Sequence, residues 1–293
     1  MDGHARLALR APSGVYDGTA HVGADLSAPI DAGRHPSPST DGWKLQVSAQ
    51  GEFYADMHNY VGRIPGAHEQ LDHFDNPEPP YLDGYVSLAM DRPEWGTGLP
   101  RFTSDLRSLD ETDGTWDLDL HVKGEVGPIS LTYKLSGELP PNIQILLLDL
   151  VSRQDYDLLR GEGKSIMITD YTQAFPYHLK VIAGSPEYVS RTVSEVLSLL
   201  PEKIALSQNY PNPFNPSTRI RFALPKPEQV TLKVYNILGQ EVVTLVDGWR
   251  DLGRYEVIWD GKDHLGYNVS SGLYFSALVT ANRVLTRKMM VIR

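Results

Sequence analysis

In Trp116-Asp117-Leu118-Asp119-Leu120-His121-Val122 the apolar residues fall on alternate positions, and this two-residue period restricts the fold more than any other feature of the chain. Successive side chains of a strand point to opposite faces, so such a run meets a core on one side and water on the other. Comparable short runs recur between clusters of turn formers at 43–49, 85–90, 115–122, 129–135, 143–150, 165–170 and 177–182. Many short strands broken by turns point to an antiparallel sandwich and away from a helical fold. The run at 143–150 is almost continuously apolar, which makes it the expected central strand.

A second family of strands follows at 230–235, 241–245, 255–259, 273–279 and 286–292, rich in β-branched and aromatic residues. Asn236-Ile237-Leu238-Gly239-Gln240 and Asp260-Gly261-Lys262-Asp263 supply its turns. At 293 residues the chain suits two cores. The expected organisation is a loosely structured segment at 1–42, a jelly-roll or immunoglobulin-like β-sandwich at 43–184, a linker or short helix at 185–205, and a smaller immunoglobulin-like sandwich at 206–293. Val189, Val193, Val196, Leu197 and Leu200 recur at helical spacing, and Ser185-Pro186-Glu187 offers a cap followed by proline at the first helical position.

The chain has no cysteine, which excludes disulfides, thiolate nucleophiles and cysteine zinc sites. No apolar run reaches the length of a membrane span, so no transmembrane segment is expected. Residues 206–293 carry 11 Lys and Arg against 7 Asp and Glu, which leaves 16 against 30 for the rest of the chain's 27 and 37. An acidic body argues against nucleic acid as a partner, because phosphate binding draws on clustered Lys and Arg.

His68-Glu69-Gln70-Leu71-Asp72-His73 narrowly misses the zinc-peptidase helix. That motif needs imidazoles four residues apart on one face, and position 72 is Asp. Asp56, Asn59, Glu69, Asp72, Asp75, Asn76 and Glu78 concentrate oxygen ligands in what reads as one loop region, with Asp56, Asp72 and Asp75 as calcium candidates; the spacing is not that of an EF-hand. Asp117 and Asp119 share one strand face, where a glycosidase would need its carboxylates, although solvent-facing Asp on such a strand is ordinary. No nucleophile elbow and no phosphate-binding glycine loop is present. Nothing here calls for catalysis or an obligatory cofactor.

Leu206-Ser207-Gln208-Asn209-Tyr210-Pro211-Asn212-Pro213-Phe214-Asn215-Pro216-Ser217-Thr218 is an unusually constrained stretch. Its prolines fix φ and remove backbone donors, so it reads as a stiff edge that cannot join a neighbouring ladder and that presents Tyr210 and Phe214 for packing. This string resembles the opening motif of the type A C-terminal sorting domain of the bacterial type IX secretion system. The rest follows in order: residues 230–242 resemble its first hairpin, Trp259-Asp260-Gly261, Gly266 and Ser271-Gly272-Leu273-Tyr274-Phe275 its Gly-x-Tyr segment, and Arg287-Lys288-Met289-Met290-Val291 its basic last strand. The resemblance implies an export address read by the outer-membrane machinery, with Pro211, Asn212, Pro213, Gly272, Tyr274 and Lys288 as sorting positions and cleavage between about 201 and 206. It also implies a secreted or cell-surface protein. Type IX cargo first crosses the inner membrane on an N-terminal export signal, and Met1-Asp2-Gly3-His4-Ala5-Arg6 begins none, so the expectation is a start inside a longer protein or a truncated reading frame.

A weaker resemblance, through Asp56, Asn59, Gly62, Ala67, Asp72, Asp75-Asn76-Pro77-Glu78-Pro79-Pro80, Trp95, Asp105-Leu106-Arg107 and Trp116, links the first part to uncharacterised regions that precede such domains. The expected protein is thus all-β, with two antiparallel sandwiches and a non-catalytic first module that binds a surface glycan or protein ligand or plays a structural part. Two alternatives stand beside it. One is the accessory end of a larger secreted hydrolase. The other is a structural subunit of an extracellular assembly, because the Asp-Gly turn and Gly-x-Tyr pattern are also similar to the immunoglobulin-like domain of flagellar hook-capping proteins.

Overall fold

The computed structural model describes residues 41–80, 83–96, 100–160 and 165–293. All but the last two residues of the loosely structured segment expected at 1–42 lie outside them.

Eleven strands build the first sandwich: β1 (Trp43–Gln50), β2 (Ala55–Arg63), β3 (Tyr85–Asp91), β4 (Arg101–Phe102), β5 (Ser104–Arg107), β6 (Gly114–Lys123), β7 (Ile129–Gly137), β8 (Gln144–Asp149), β9 (Asp155–Asp157), β10 (Ile166–Ile168) and β11 (Tyr177–Gly184). They form one sheet in the order β10-β7-β1-β2-β5 and a second in the order β4-β3-β6-β11-β8-β9. Pairing is antiparallel except between β2 and β5, which run parallel. The alternation of β6 does what its sequence implies: Trp116, Leu118, Leu120 and Val122 are buried, while Asp117 faces out. Trp116 meets Trp43 of the opposite sheet edge to face, with ring centroids 5.7 Å apart.

The apolar run at 143–150 is not the middle of its sheet. Strands β6 and β11 lie there, and β8 is second from the edge. Its sequence is continuously apolar because both faces are covered. Ile145 and Leu147 enter the sandwich core, whereas Leu146 and Leu148 pack outward against helix α1 (Pro186–Leu199). The helix starts as its sequence indicates, with the Ser185 Oγ accepting from the Tyr188 N–H at 3.2 Å and Pro186 in the first turn. It closes over Arg153, whose guanidinium donates to the carbonyls of Leu197 at 2.8 Å and Pro201 at 3.0 Å. The Leu197 carbonyl also accepts from the capping Leu200 N–H at 3.3 Å, so the guanidinium adds a charged donor at the helix C-terminus. The expected linker is therefore also a third layer on the sheet.

The second sandwich comprises β12 (Ala205–Leu206), β13 (Thr218–Leu224), β14 (Glu228–Asn236), β15 (Glu241–Arg250), β16 (Gly253–Trp259), β17 (Gly272–Val279) and β18 (Val284–Val291). Its sheets run β12-β13-β16 and β15-β14-β17-β18. Strand β13, with Ile220, Phe222 and Leu224 inside and Arg219 and Arg221 outside, alternates as clearly as β6, although the proline-rich stretch before it draws attention away. Between the sheets Phe214, Trp259 and Tyr274 pack in series, tilted and then edge to face, at 5.3 and 5.5 Å between centroids. The fold is all-β, with two sandwiches of which the second is immunoglobulin-like. No helix among the described residues is long and apolar enough to cross a membrane.

Candidate functional site

The proline-led stretch does join ladders, and it joins both sheets. Tyr210 and Arg219 exchange backbone hydrogen bonds at 3.0 and 2.9 Å on the β13 side; Phe214 donates to the Met290 carbonyl and accepts from Ile292, both at 3.0 Å, on the β18 side. Prolines remove only their own donors, and the residues between them keep theirs, so the segment stitches the open edge of the sandwich. Phe214 is buried in the core, but Tyr210 is 78% exposed and is not packed down. Asn209, fully inside, donates its Nδ2 to the Pro211 carbonyl at 3.0 Å and to the Thr218 Oγ1 at 2.9 Å, and that hydroxyl donates to the Pro211 carbonyl at 2.8 Å.

The six positions expected to carry the sorting signal fall around the end of β18. Asn212 accepts from the Met290 N–H at 2.9 Å through its Oδ1, and Gln208 donates to the Lys288 carbonyl at 2.7 Å. Pro211 and Pro213 flank Asn212 on the exposed side. Gly272 pairs with Val291 and Phe275 with Lys288 across the β17 ladder. Gly272 takes a φ of 155°, a backbone conformation L side chains rarely adopt. Tyr274 is buried, and its hydroxyl donates to the Ser270 carbonyl at 3.0 Å, fixing the corner where the chain enters β17. Lys288 is exposed on the last strand. The backbone of Gly272 and the side chain of Tyr274 thus serve the fold directly, while Pro211, Asn212, Pro213 and Lys288 meet solvent.

The acidic region of the first sandwich is not one loop, because Asp56 and Asn59 sit on β2. Asp56 accepts from the Leu88 N–H at 2.8 Å, across to β3. Asp72 accepts from the His68 and Phe74 N–H groups, both at 2.7 Å, and Asp75 from Asp72 at 2.9 Å and Leu106 at 3.1 Å. These carboxylates hold backbone donors and thereby shape the segment between β2 and β3. Burial, with Asp72 and Asp105 close by, pushes the Asp75 carboxyl up to about 6. The His68–His73 stretch is not helical.

A different cluster forms on the outer face of β3, β6 and β11. Ligand atoms of Asp91, Asp119 and His121 lie within 4.8 Å of one another, which is the grouping among the described residues that could hold a metal ion. Burial and the nearby Arg101 push the His121 imidazole down to about 4, keeping it neutral. Beside it, His178 on β11 has one ring nitrogen 2.7 Å from Asp119 and the other 2.9 Å from Asp251, in the turn between β15 and β16. With a carboxylate on each nitrogen both must carry a proton. Burial opposes that charge, but the two carboxylates prevail and push His178 up to about 10. This imidazolium ties the first sandwich to the second, as does the ion pair of Asp170 with Lys226 at 2.6 Å. Beside that pair a cleft of about 290 Å³ opens between the sandwiches, lined by Tyr177 and Trp249 among others. Sequence reading finds Asp119 but not its partners, because register alone brings His178 opposite it.

The fold and this end of β18 define a two-sandwich β-protein with an immunoglobulin-like C-terminal unit. Comparison places residues 211–283 in match with the FlgD Ig-like domain family. No curated protein matches the sequence. Among solved structures, the chain is similar to PorZ of Porphyromonas gingivalis, described as an essential bacterial surface component of the type IX secretion system. That likeness has 12% identity and a TM-score of 0.24, covering 62% of this chain and 30% of that one. It is also similar to dimeric latent PorU of the same organism, at 11% identity and a TM-score of 0.27, covering 87% of this chain and 30% of the other. The chain spans about 30% of the length of either protein.

Proposed function

We propose that residues 206–293 are an export address for the type IX secretion machinery and that the first sandwich is a non-catalytic binding or structural module carried to the cell surface or medium. The observation that carries this reading is the meeting of the opening and closing motifs. Asn212 bonds the backbone at Met290, and Gln208 bonds it at Lys288, so sequences some eighty residues apart form one patch on a folded unit. A label read in the folded state needs its elements assembled in this way.

The test compares two chains, each placed behind a periplasmic export signal in a host with working type IX machinery. One is the full chain and the other ends at residue 205. The full chain is expected in the medium or on the surface and the shorter one in the periplasm; equal distribution of the two would sink the reading. Mass spectrometry of the exported product shows whether the chain is cut between 201 and 206. A second reading, a structural unit of an extracellular assembly, draws on the FlgD Ig-like match. It expects residues 206–293 to remain intact within a surface filament.

A further inference from the structure

Two loops of the second sandwich are built to one plan. Asn236-Ile237-Leu238-Gly239-Gln240 and Asp263-His264-Leu265-Gly266-Tyr267 share the pattern Asx-x-Leu-Gly-x. In the first, Asn236 Oδ1 accepts from the N–H of Leu238 at 2.9 Å and of Gln240 at 3.0 Å. In the second, Asp263 Oδ1 accepts from the N–H of Leu265 and of Tyr267, both at 2.9 Å. The backbone closes identically: Gly239 donates to the Asn236 carbonyl at 3.1 Å and Gly266 to the Asp263 carbonyl at 3.0 Å. Both glycines sit at positive φ, 77° and 83°. The loops are joined, since the His264 N–H donates to the Val242 carbonyl at 3.0 Å, just after the first loop.

The Asx side chains and backbone groups named here are therefore spent within each loop, and the large apolar side chains stand outward. Ile237, Leu238, Leu265 and Tyr267 are 67–77% exposed. Single exposed apolar residues are ordinary, but turns usually present polar ones, and four on two rigid loops call for a partner. They occupy the end of the sandwich where β14 leads into β15 and β16 into β17, opposite the end that carries Asp251 and Lys226.

We propose that this two-loop tip is a further surface through which the second sandwich is read, beside the patch at β18, and that it enters an apolar pocket of a protein partner. On the export reading, on which this rests, that partner belongs to the outer-membrane apparatus. Charge favours a protein pocket over anionic lipid. Lys233 pairs with Glu241 at 2.8 Å and Lys262 with Asp260 at 3.2 Å, and Arg293 donates to the Gly261 carbonyl at 2.9 Å, so the tip offers no basic cluster. Four such side chains present a few hundred Å², short of the roughly 800 Å² per partner that a stable dimer buries. That size fits a transient contact and not a second copy. Loops already ordered lose little freedom on docking.

The experiment uses the full chain behind a periplasmic export signal in a host with working type IX machinery, and compares wild type with Leu238→Ser, Leu265→Ser and the double variant. Melting temperatures should be unchanged, because both side chains are exposed. Export of the double variant should fall at least about tenfold, the equivalent of one modest contact, with the protein held in the periplasm. Leu238→Met should restore it, and Ile258→Ser, an equally exposed apolar residue on β16, should export normally. Normal export of the double variant, or an equal loss in Ile258→Ser, overturns the proposal while leaving the export reading intact. Retention of wild type in the periplasm defeats the export reading and this one with it. Tip-dependent dimerisation in sedimentation velocity, or tip-dependent pelleting with phosphatidylglycerol vesicles, would assign another occupant and overturn it as well.

Discussion

The two sandwiches handle charge in opposite ways. The first buries it. Arg63 is 2% exposed and donates to Glu69 at 2.8 Å and to the carbonyls of Ser108 at 2.7 Å and Asp113 at 2.6 Å. Asp105, also buried, receives Arg92 and Arg107, and the Arg107 guanidinium lies 4.6 Å above the Trp116 ring. Glu125 is buried too, accepting from three consecutive backbone N–H groups, Glu52, Phe53 and Tyr54, at 3.1, 2.8 and 2.7 Å. The second sandwich centres its core on Phe214, Trp259 and Leu278 and leaves its ion pairs, such as Arg221 with Glu256, at the surface. A core made of alternating strands carries its own instructions. A fold pinned by buried ions depends on long-range geometry, and removing one partner strands the other.

The sharpest contrast comes from the tryptophans. Trp116→Ala and Trp259→Ala should each cost about 3–5 kcal/mol. Hydrogen exchange should show the loss confined to the sandwich that contains the change, and protection lost in both from either variant would break the distinction. Arg63→Ala should cost about 3 kcal/mol or more, measured by urea unfolding, because the Ser108 and Asp113 carbonyls lose their charged donor. Arg221→Ala, its exposed counterpart in the second sandwich, should cost at most about 1 kcal/mol. Similar costs for the two would remove the difference in charge handling. Glu125→Gln should cost about 1.5–3 kcal/mol and loosen the β1–β2 hairpin, seen as faster exchange at 52–54.

The smallest effect concerns the tie between the sandwiches. His178 is pushed up from the ordinary 6.5 to about 10, so the folded state holds its proton more tightly than the unfolded chain. Its contribution is full below about 6.5 and is lost as pH rises through about 10. Stability should therefore fall across that window in wild type more steeply than in His178→Ala, with the difference read from urea midpoints at several pH values. Parallel pH profiles would show that the bridge carries no stability.

This contrast also explains what could be read from sequence. Alternation makes β6 legible, and in the second sandwich β-branched and aromatic content marks β14, β15, β16, β17 and β18. Strand β2 was hidden, because Asp56, His58, Asn59 and Arg63 break the period; Asn59 is nonetheless buried, donating to the Val47 carbonyl at 3.3 Å. Strand β8 was visible as buried but misplaced, since composition cannot tell a central strand from one covered by a helix. The residues of the proposed sorting motifs stand out in the sequence, but their meeting at β18 does not, because it depends on Asn212 reaching across to another strand. His178 and Asp251 carried no local signal at all.

The most direct test of the division of labour is transplantation. Residues 203–293 are fused to the C-terminus of a reporter that carries its own periplasmic export signal, and the reporter is followed in a host with working type IX machinery. Delivery to the surface or medium is the expected result, with no contribution from the first sandwich. A correctly folded fusion that stays in the periplasm would contradict it.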